Sequence, residues 1–268
     1  MRAKENKLSV VALVSLKIEE YLTTLPESIL SGEDVQLPKE AFKEIFKLAN
    51  LNKNDVFYHL GCGDGLGLLI AKEEFNAEKI IGIDISKEKT DAASKLLKEK
   101  NYSDVKIINE DIINSHFDDA DVILFWFVDY NVLEKMMPKF SKLKQGTRIV
   151  TIWGPLPGCL PERVEFPYIM NKVPFSKAKD LKEQLLAIFD VKCIDFVTSW
   201  EFAERYTKAI GRDNPENDRF LTIIQSLVIW INAKNLGVSC EDEIPEPIKN
   251  YISILKKFFN IEIEHLLK

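Results

Sequence analysis

The residues able to do chemistry in this chain begin with Asp55-Val56-Phe57-Tyr58-His59-Leu60-Gly61-Cys62-Gly63-Asp64-Gly65, an apolar run that ends in alternating glycines. Glycines there permit a tight turn and let backbone N–H groups approach a ligand closely. Ile80-Ile81-Gly82-Ile83-Asp84 places an acid at the end of the next apolar run, where a carboxylate can accept both hydroxyls of a ribose. Asn109-Glu110-Asp111-Ile112 places acids at the end of a third, within reach of an adenine edge. After a fourth run comes Phe125-Trp126-Phe127-Val128-Asp129-Tyr130, whose aromatic groups could line a channel beside a cationic centre. Core packing competes with that use, since strand residues alternate sides and at least one of Phe125 and Phe127 must face a helix.

Other chemistries find less support. A dinucleotide fingerprint needs glycine or alanine at a sixth position, which falls on Leu66 counted from Gly61 and on Leu68 counted from Gly63. His59, His116 and His265 lie far apart with no H-E-x-x-H helix, so no metal is expected. Cys62, Cys159, Cys193 and Cys240 are scattered without a C-x-x-C pair, which predicts neither a zinc site nor a disulfide framework and fits a reducing cytoplasm. A net charge of -6 and a pI near 5.4 argue against a general nucleic-acid binder, because phosphate contacts need clustered Lys and Arg.

Alternating elements must position these residues. Strands are expected at 55–60, 79–84, 104–109, 121–127 and 147–153, with helices at 66–75, 87–100 and 130–143 between them. Such βα units predict an α/β fold with a parallel sheet covered on both faces, and ligands at the carboxyl ends of its strands. Helices at 8–30 and 39–50 precede the sheet. Lys17-Ile18-Glu19-Glu20 follows the apolar run Leu8 to Leu16, which is too short to span a membrane and lacks a small-residue cleavage site, so it reads as a buried helix. Prolines 155, 157, 161, 167 and 174 make 154–174 a loop with a short edge hairpin at 163–173. Phe220, Ile223, Ile224, Leu227, Val228 and Ile231 then repeat at helical spacing, as do Ile248, Tyr251, Ile252, Leu255, Phe258 and Phe259. Three units follow: an N-terminal helical segment at 1–50, the sheet domain at 51–175 and a C-terminal helical cap at 176–268. The stripe from Phe220 to Ile231 must be covered by the helix at 248–259, by the N-terminal helix, or by the same surface of a second subunit in a homo-oligomer.

Glycine loop, Asp84 and Asp111 occur in the order found in Rossmann-like class I methyltransferases that use S-adenosyl-L-methionine (SAM). Residues 34 to about 160 resemble, more narrowly, small archaeal protein-lysine methyltransferases and their mitochondrial relatives that methylate lysines of membrane-bound carrier and ATP-synthase proteins. The likeness rests on Val35-Gln36-Leu37-Pro38 leading into Asn54-Asp55-Val56, on the glycine motif, and on Asp121-Val122-Ile123 through Val132, Glu134, Pro138-Lys139 and Lys144-Gln145-Gly146-Thr147-Arg148-Ile149-Val150. It implies SAM as cofactor, bound by His59, Gly61, Cys62, Gly63, Gly65, Asp84, Ile85, Asp111, Ile112 and Phe125, with Trp126 and Tyr130 at the reaction centre. The chain departs from these relatives at Leu37, where they carry Thr or Ser, at His59, where they carry Asp, and at Leu133, where they carry Asn.

The resemblance implies in-line attack of a nucleophile on the SAM methyl group, with the protein supplying position more than acid–base work. A lysine acceptor must first lose a proton, at a cost of about 4.6 kcal/mol at pH 7, and apolar walls around Phe125, Trp126 and Phe127 would reduce that cost. The first expectation is a SAM-dependent methyltransferase acting on protein lysine. A catalytically weak SAM-fold binding or scaffold protein is the alternative that Leu37, His59 and Leu133 support, and a small-molecule methyltransferase would keep the same cofactor residues.

Overall fold

A strand covered on both faces must be apolar along its length, and Val56–Leu60 (β1) meets that condition at the centre of the sheet. The computed structural model describes residues 37–127, 130–210, 215–260 and 262–267. The helix expected at 8–30 lies outside them, as do Val35, Gln36, Val128 and Asp129. Lys39–Leu48 (α1) follows Pro38 and buries Ala41, Phe42, Ile45, Phe46 and Leu48, the apolar face its spacing predicts. After β1 come Leu66–Ile70 (α2), continued by a π turn at Ala71–Phe75, then Lys79–Asp84 (β2), Lys87–Glu99 (α3) and Lys106–Asn109 (β3). Val122–Phe125 (β4), Tyr130–Phe140 (α4) and Arg148–Ile152 (β5) complete the alternation.

Among the described residues the sheet has seven strands in the order β3-β2-β1-β4-β5-β7-β6. The first five run parallel, with Phe57 beside Ile80 on one side of β1 and beside Val122 on the other. Arg163–Glu165 (β6) and Tyr168–Lys172 (β7) form the expected hairpin, and β7 pairs antiparallel with β5. The chain runs outward from β1 through β2 to β3, then returns to β4 on β1's other side. That reversal opens a crevice at the carboxyl end of β1. One sheet face is packed by α1 and α2 around Phe46, Phe57 and Leu68, the other by α4 around Phe125, Met136 and Phe140.

Arg148 fastens the base of this layer. Its guanidinium donates to Asp55 Oδ1 at 2.5 Å and to the carbonyls of Ala49 at 2.7 Å and Asn50 at 3.0 Å. Asp55 Oδ2 accepts from the main-chain and side-chain nitrogens of Asn52 at 2.9 and 2.7 Å. The end of α1, the start of β1 and the start of β5 are thereby tied at one ion pair between the half-buried Arg148 and the buried Asp55.

Leu181–Phe189 (α5), Phe196–Ile210 (α6), Pro215–Leu236 (α7) and Glu246–Phe259 (α8) form the C-terminal helical part. The spacing in α7 predicted one apolar stripe, but every residue from Ile224 to Ala233 is buried. The reason is its place between two partners: Ile229 and Ala233 pack with Phe166, Ile169 and Phe202, whereas Trp230 and Ile231 pack with Ile248, Ile252 and Leu255 of α8. The expected stripe, in Ile224, Leu227, Val228 and Ile231, is covered within the chain by α8, and the hairpin and α6 cover the other side of α7.

The cysteines correct a sequence-based expectation. Cys193 and Cys240 form a disulfide with Cα atoms 5.1 Å apart across a separation of 47 residues. The segments after α5 and after α7 run side by side, with Ile194 N donating to Val238 O at 2.9 Å and Cys240 N donating to Ile194 O at 3.0 Å. Spacing along the chain carries no trace of that meeting. Cys62 and Cys159 are free and buried.

Removing Arg148 strips the buried Asp55 carboxylate of its counter-charge and leaves it only the Asn52 donors, so Arg148→Met should cost about 2–3 kcal/mol. The measurement is the midpoint of urea unfolding at constant slope; a loss below about 1 kcal/mol would place the pair with ordinary surface bridges.

Candidate cofactor and acceptor site

The turn after β1 is built by hydrogen bonds inside the protein. Gly61 N and Cys62 N both donate to Ile83 O, at 2.8 and 3.1 Å, and Gly65 N donates to Cys62 O at 3.1 Å. Gly63 N donates to Asp84 Oδ2 at 2.9 Å. The expectation that these N–H groups face a ligand is therefore corrected, because β2 and the turn itself already occupy them. What the turn offers instead is bare space. Gly63 has φ +56°, and a Cβ there would meet nothing within 4 Å. Gly65, at φ +88°, serves packing, since its Cβ would lie 2.8 Å from that of Ala93 on α3.

Asp84 is buried, and each carboxylate oxygen takes one backbone donor: Gly63 N on Oδ2 and Ser86 N on Oδ1, both at 2.9 Å. Each oxygen keeps a second lone pair, so a ribose hydroxyl can still be accepted on either. The next residue, Ile85, leaves 72% of a large apolar side chain exposed. Ile112 is buried, and Asp111 lies beside it with Oδ1 accepting from Ile113 N at 2.9 Å.

His59 is enclosed by the rings of Phe42, edge-on at 5.7 Å, and Phe57, stacked at 6.4 Å. Its Nδ1 is buried without a hydrogen-bond partner, 3.0 Å from where a Cβ on Gly67 would sit. Burial pushes its pKa down to about 4 despite Asp84 and Asp64 nearby, which keeps the imidazole neutral. The Cys62 thiol, pushed up to about 12 by burial, is no nucleophile, and its Sγ fills the space in front of Gly82.

The aromatic segment divides. Phe125, expected among the cofactor-binding residues, is 0% exposed, with its ring stacked on Phe127 at 4.8 Å and edge-on to Phe140 at 5.1 Å in the core against α4. Strand β4 ends there, two residues earlier than its apolar run predicts. Trp126 and Phe127 leave the sheet half-buried, Trp126 against the α1-side core and Phe127 with its ring 3.0 Å from where a Cβ on Gly61 would sit. Tyr130 is the first residue of α4. Leu37 and Leu133, 5% and 3% exposed, are core residues, which accounts for their apolar character.

Sequence reasoning missed Trp153, just beyond β5 on the same edge of the sheet. It holds φ +67°, its N donates to Pro167 O at 2.7 Å, and Gly154 N closes over it onto Ile152 O at 2.8 Å. Its ring lies 4.5 Å from Tyr206 and 5.5 Å from Phe166. A bulky residue in that backbone region costs about 1–3 kcal/mol and persists only where the surroundings impose it. The sole sequence signal was a tryptophan before Gly154-Pro155 at a strand exit. Among the described residues no three His, Cys, Asp or Glu side chains are grouped to hold a metal ion.

A family model described as a methyltransferase domain matches residues 57–145. A protein-lysine N-methyltransferase of Saccharolobus islandicus (strain REY15A) is 29% identical over 132 residues, 48% of this chain and 81% of that protein. The crystal structure of an RNA methyltransferase from Salinibacter ruber, solved with S-adenosyl-L-homocysteine, is 26% identical with a TM-score of 0.50, and covers 55% of this chain and 98% of that one. With the strand order above, these matches define a class I, Rossmann-like methyltransferase fold. The chain is a SAM-dependent methyltransferase, and SAM is its cofactor. The residues present fit that group: open space at Gly63, acceptor capacity at Asp84 and an exposed apolar cover at Ile85.

Asp84→Ala removes a charged acceptor and should weaken binding of S-adenosylhomocysteine by about 1.5–3 kcal/mol in titration calorimetry, whereas unchanged affinity in a folded variant would exclude Asp84 from the site. His59 generates a pH effect. Its folded pKa near 4 lies below the ordinary 6.5, so the unfolded chain binds the proton first and stability falls as pH drops from about 6.5 towards 4. His59→Leu should flatten the thermal midpoint across that window; parallel curves for the two proteins would show that the imidazole is not held neutral.

Proposed function

We propose that this methyltransferase modifies a lysine side chain of a protein. In this reading Asp84 holds the SAM ribose, Ile85 and Ile112 flank the adenine with Asp111 at its edge, and the methionine portion lies over Gly61 and Gly63 beside His59. Bound SAM supplies an electrophilic methyl group. The observation that carries the lysine assignment is the half-buried aromatic pair that follows β4, Phe127 with its ring against Gly61 of the glycine turn and Trp126 on the α1 side. A lysine entering between such walls loses water around its ammonium, which favours the neutral amine that can accept a methyl group. Trp126, with Tyr130 at the start of α4, would then exclude water and orient the amine. The Saccharolobus protein's name supports the same acceptor. The Salinibacter protein is named an RNA methyltransferase, but a net charge of -6 here gives little attraction for phosphate.

Incubation of the protein with labelled SAM and a lysate of its own source tests the acceptor class. Label should enter protease-sensitive material and map to lysine by mass spectrometry; label in ribonuclease-sensitive or low-mass material would overturn the proposal. Trp126→Ala should slow transfer by at least about tenfold while S-adenosylhomocysteine affinity stays within about twofold, the pattern of a lost acceptor contact.

A further inference from the structure

The two turns assigned above to the adenine end are each fastened from outside by one side chain. Asn109, the last residue of β3, donates through Nδ2 to the main-chain carbonyls of Asp84 at 3.0 Å and Ile85 at 2.9 Å. An amide nitrogen has two hydrogens, and here each meets one carbonyl. Glu110 N adds a bond to Asp84 O at 3.1 Å, so the exit of β2 is held to the exit of β3. On the other side Lys139 of α4 donates through Nζ to Ser115 O at 2.6 Å and, more weakly, to Ile112 O at 3.4 Å. The same ammonium lies 5.2 Å from the centroid of the buried Phe117 ring. The turn it grips is already closed within itself: Asp111 accepts from Ile113 N, and Asn114 N donates to Asp111 O at 2.9 Å.

These contacts bear on an apolar side chain that folding alone would not leave in water. Ile85 stands exposed on a backbone whose carbonyl is held by Asn109, and Ile112 is buried with its carbonyl facing the Lys139 ammonium. A flat, apolar ring between two such side chains gains only if both turns are held before it arrives, since ordering a loose turn on binding is subtracted from affinity.

We propose that Asn109 and Lys139 are positioning residues for the cofactor: they preform the slot that receives the adenine of SAM without touching it. The proposal rests on the adenine placement given under the proposed function and is independent of the acceptor.

Titration calorimetry on the full chain tests it with two probes, S-adenosylhomocysteine and S-inosylhomocysteine, which differ only in the base. Wild-type protein should prefer the adenine compound. Lys139→Met and Asn109→Leu should each weaken S-adenosylhomocysteine by about tenfold and shrink the preference between the two bases, while Lys139→Arg restores both and Lys135→Met, an exposed lysine on the same helix, changes neither. A general loss of stability would weaken both probes alike and leave the preference intact, which overturns the positioning role, as does affinity within about twofold of wild type in a folded Lys139→Met. Should that variant not fold, amide exchange in the wild type decides: Ile113 and Asn114 should be protected without ligand, and rapid exchange there overturns a preformed slot. Binding of S-adenosylhomocysteine with no base preference in the wild type overturns the adenine placement and this proposal together, leaving the lysine assignment standing.

Discussion

Asp84 holds the site together from within. Its carboxylate takes the N–H of Gly63 from the turn after β1 and the N–H of Ser86 at the start of α3, while Ile83 O takes those of Gly61 and Cys62. One strand end thus satisfies four backbone donors that would otherwise be stranded where two helices begin, and a buried donor without a partner is costly. Because β2 and the glycine turn are locked to each other, the bare Cα of Gly63 faces open space at a defined height above the sheet. The cradle is the gap that remains when its own N–H groups have been used.

The same economy of charge appears at the opposite end of the sheet. Arg148 and Asp55 meet where α1 ends and β1 and β5 begin, and the guanidinium also collects the carbonyls that terminate α1. A helix end needs acceptors for donors and donors for acceptors. Supplying them from a single arginine fixes α1 against the sheet, and α1 is the helix that carries Phe42 over His59. Burial there leaves the histidine neutral, so this position cannot contribute a charge to the cofactor near neutral pH.

The strand exit after β5 depends on the C-terminal helices. Gln184 of α5 is buried and donates to Leu156 O and Cys159 O at 2.9 and 2.7 Å, which pins the loop after β5 to the helical part. Trp153 reaches Tyr206 of α6 from the same strand exit. The strained backbone at Trp153 is sustained by these contacts, and the helices responsible lie beyond residues 57–145, the stretch that the methyltransferase-domain model matches.

What the sequence by itself determined is the local grammar: the βα alternation, the glycine turn, Asp84 and Asp111 at strand ends, the proline-marked hairpin, and the helical spacing of α1 and α8. Each depends on residues within a few positions of one another, where periodicity and backbone preference act directly. Tertiary structure decided the rest. The spacing of Cys193 and Cys240 says nothing of their meeting, because two loops 47 residues apart are brought together only when α7 packs between its neighbours. Phe125 and Trp126 are adjacent in the chain and equally apolar, and which of them meets the α4 core and which the α1 side is decided by the helices that cover each face of the sheet. The use of Gly63 for space rather than for its N–H, and the left-handed turn at Trp153, likewise follow from partners on other strands and helices, and such partners leave no mark on the local pattern from which a sequence is read.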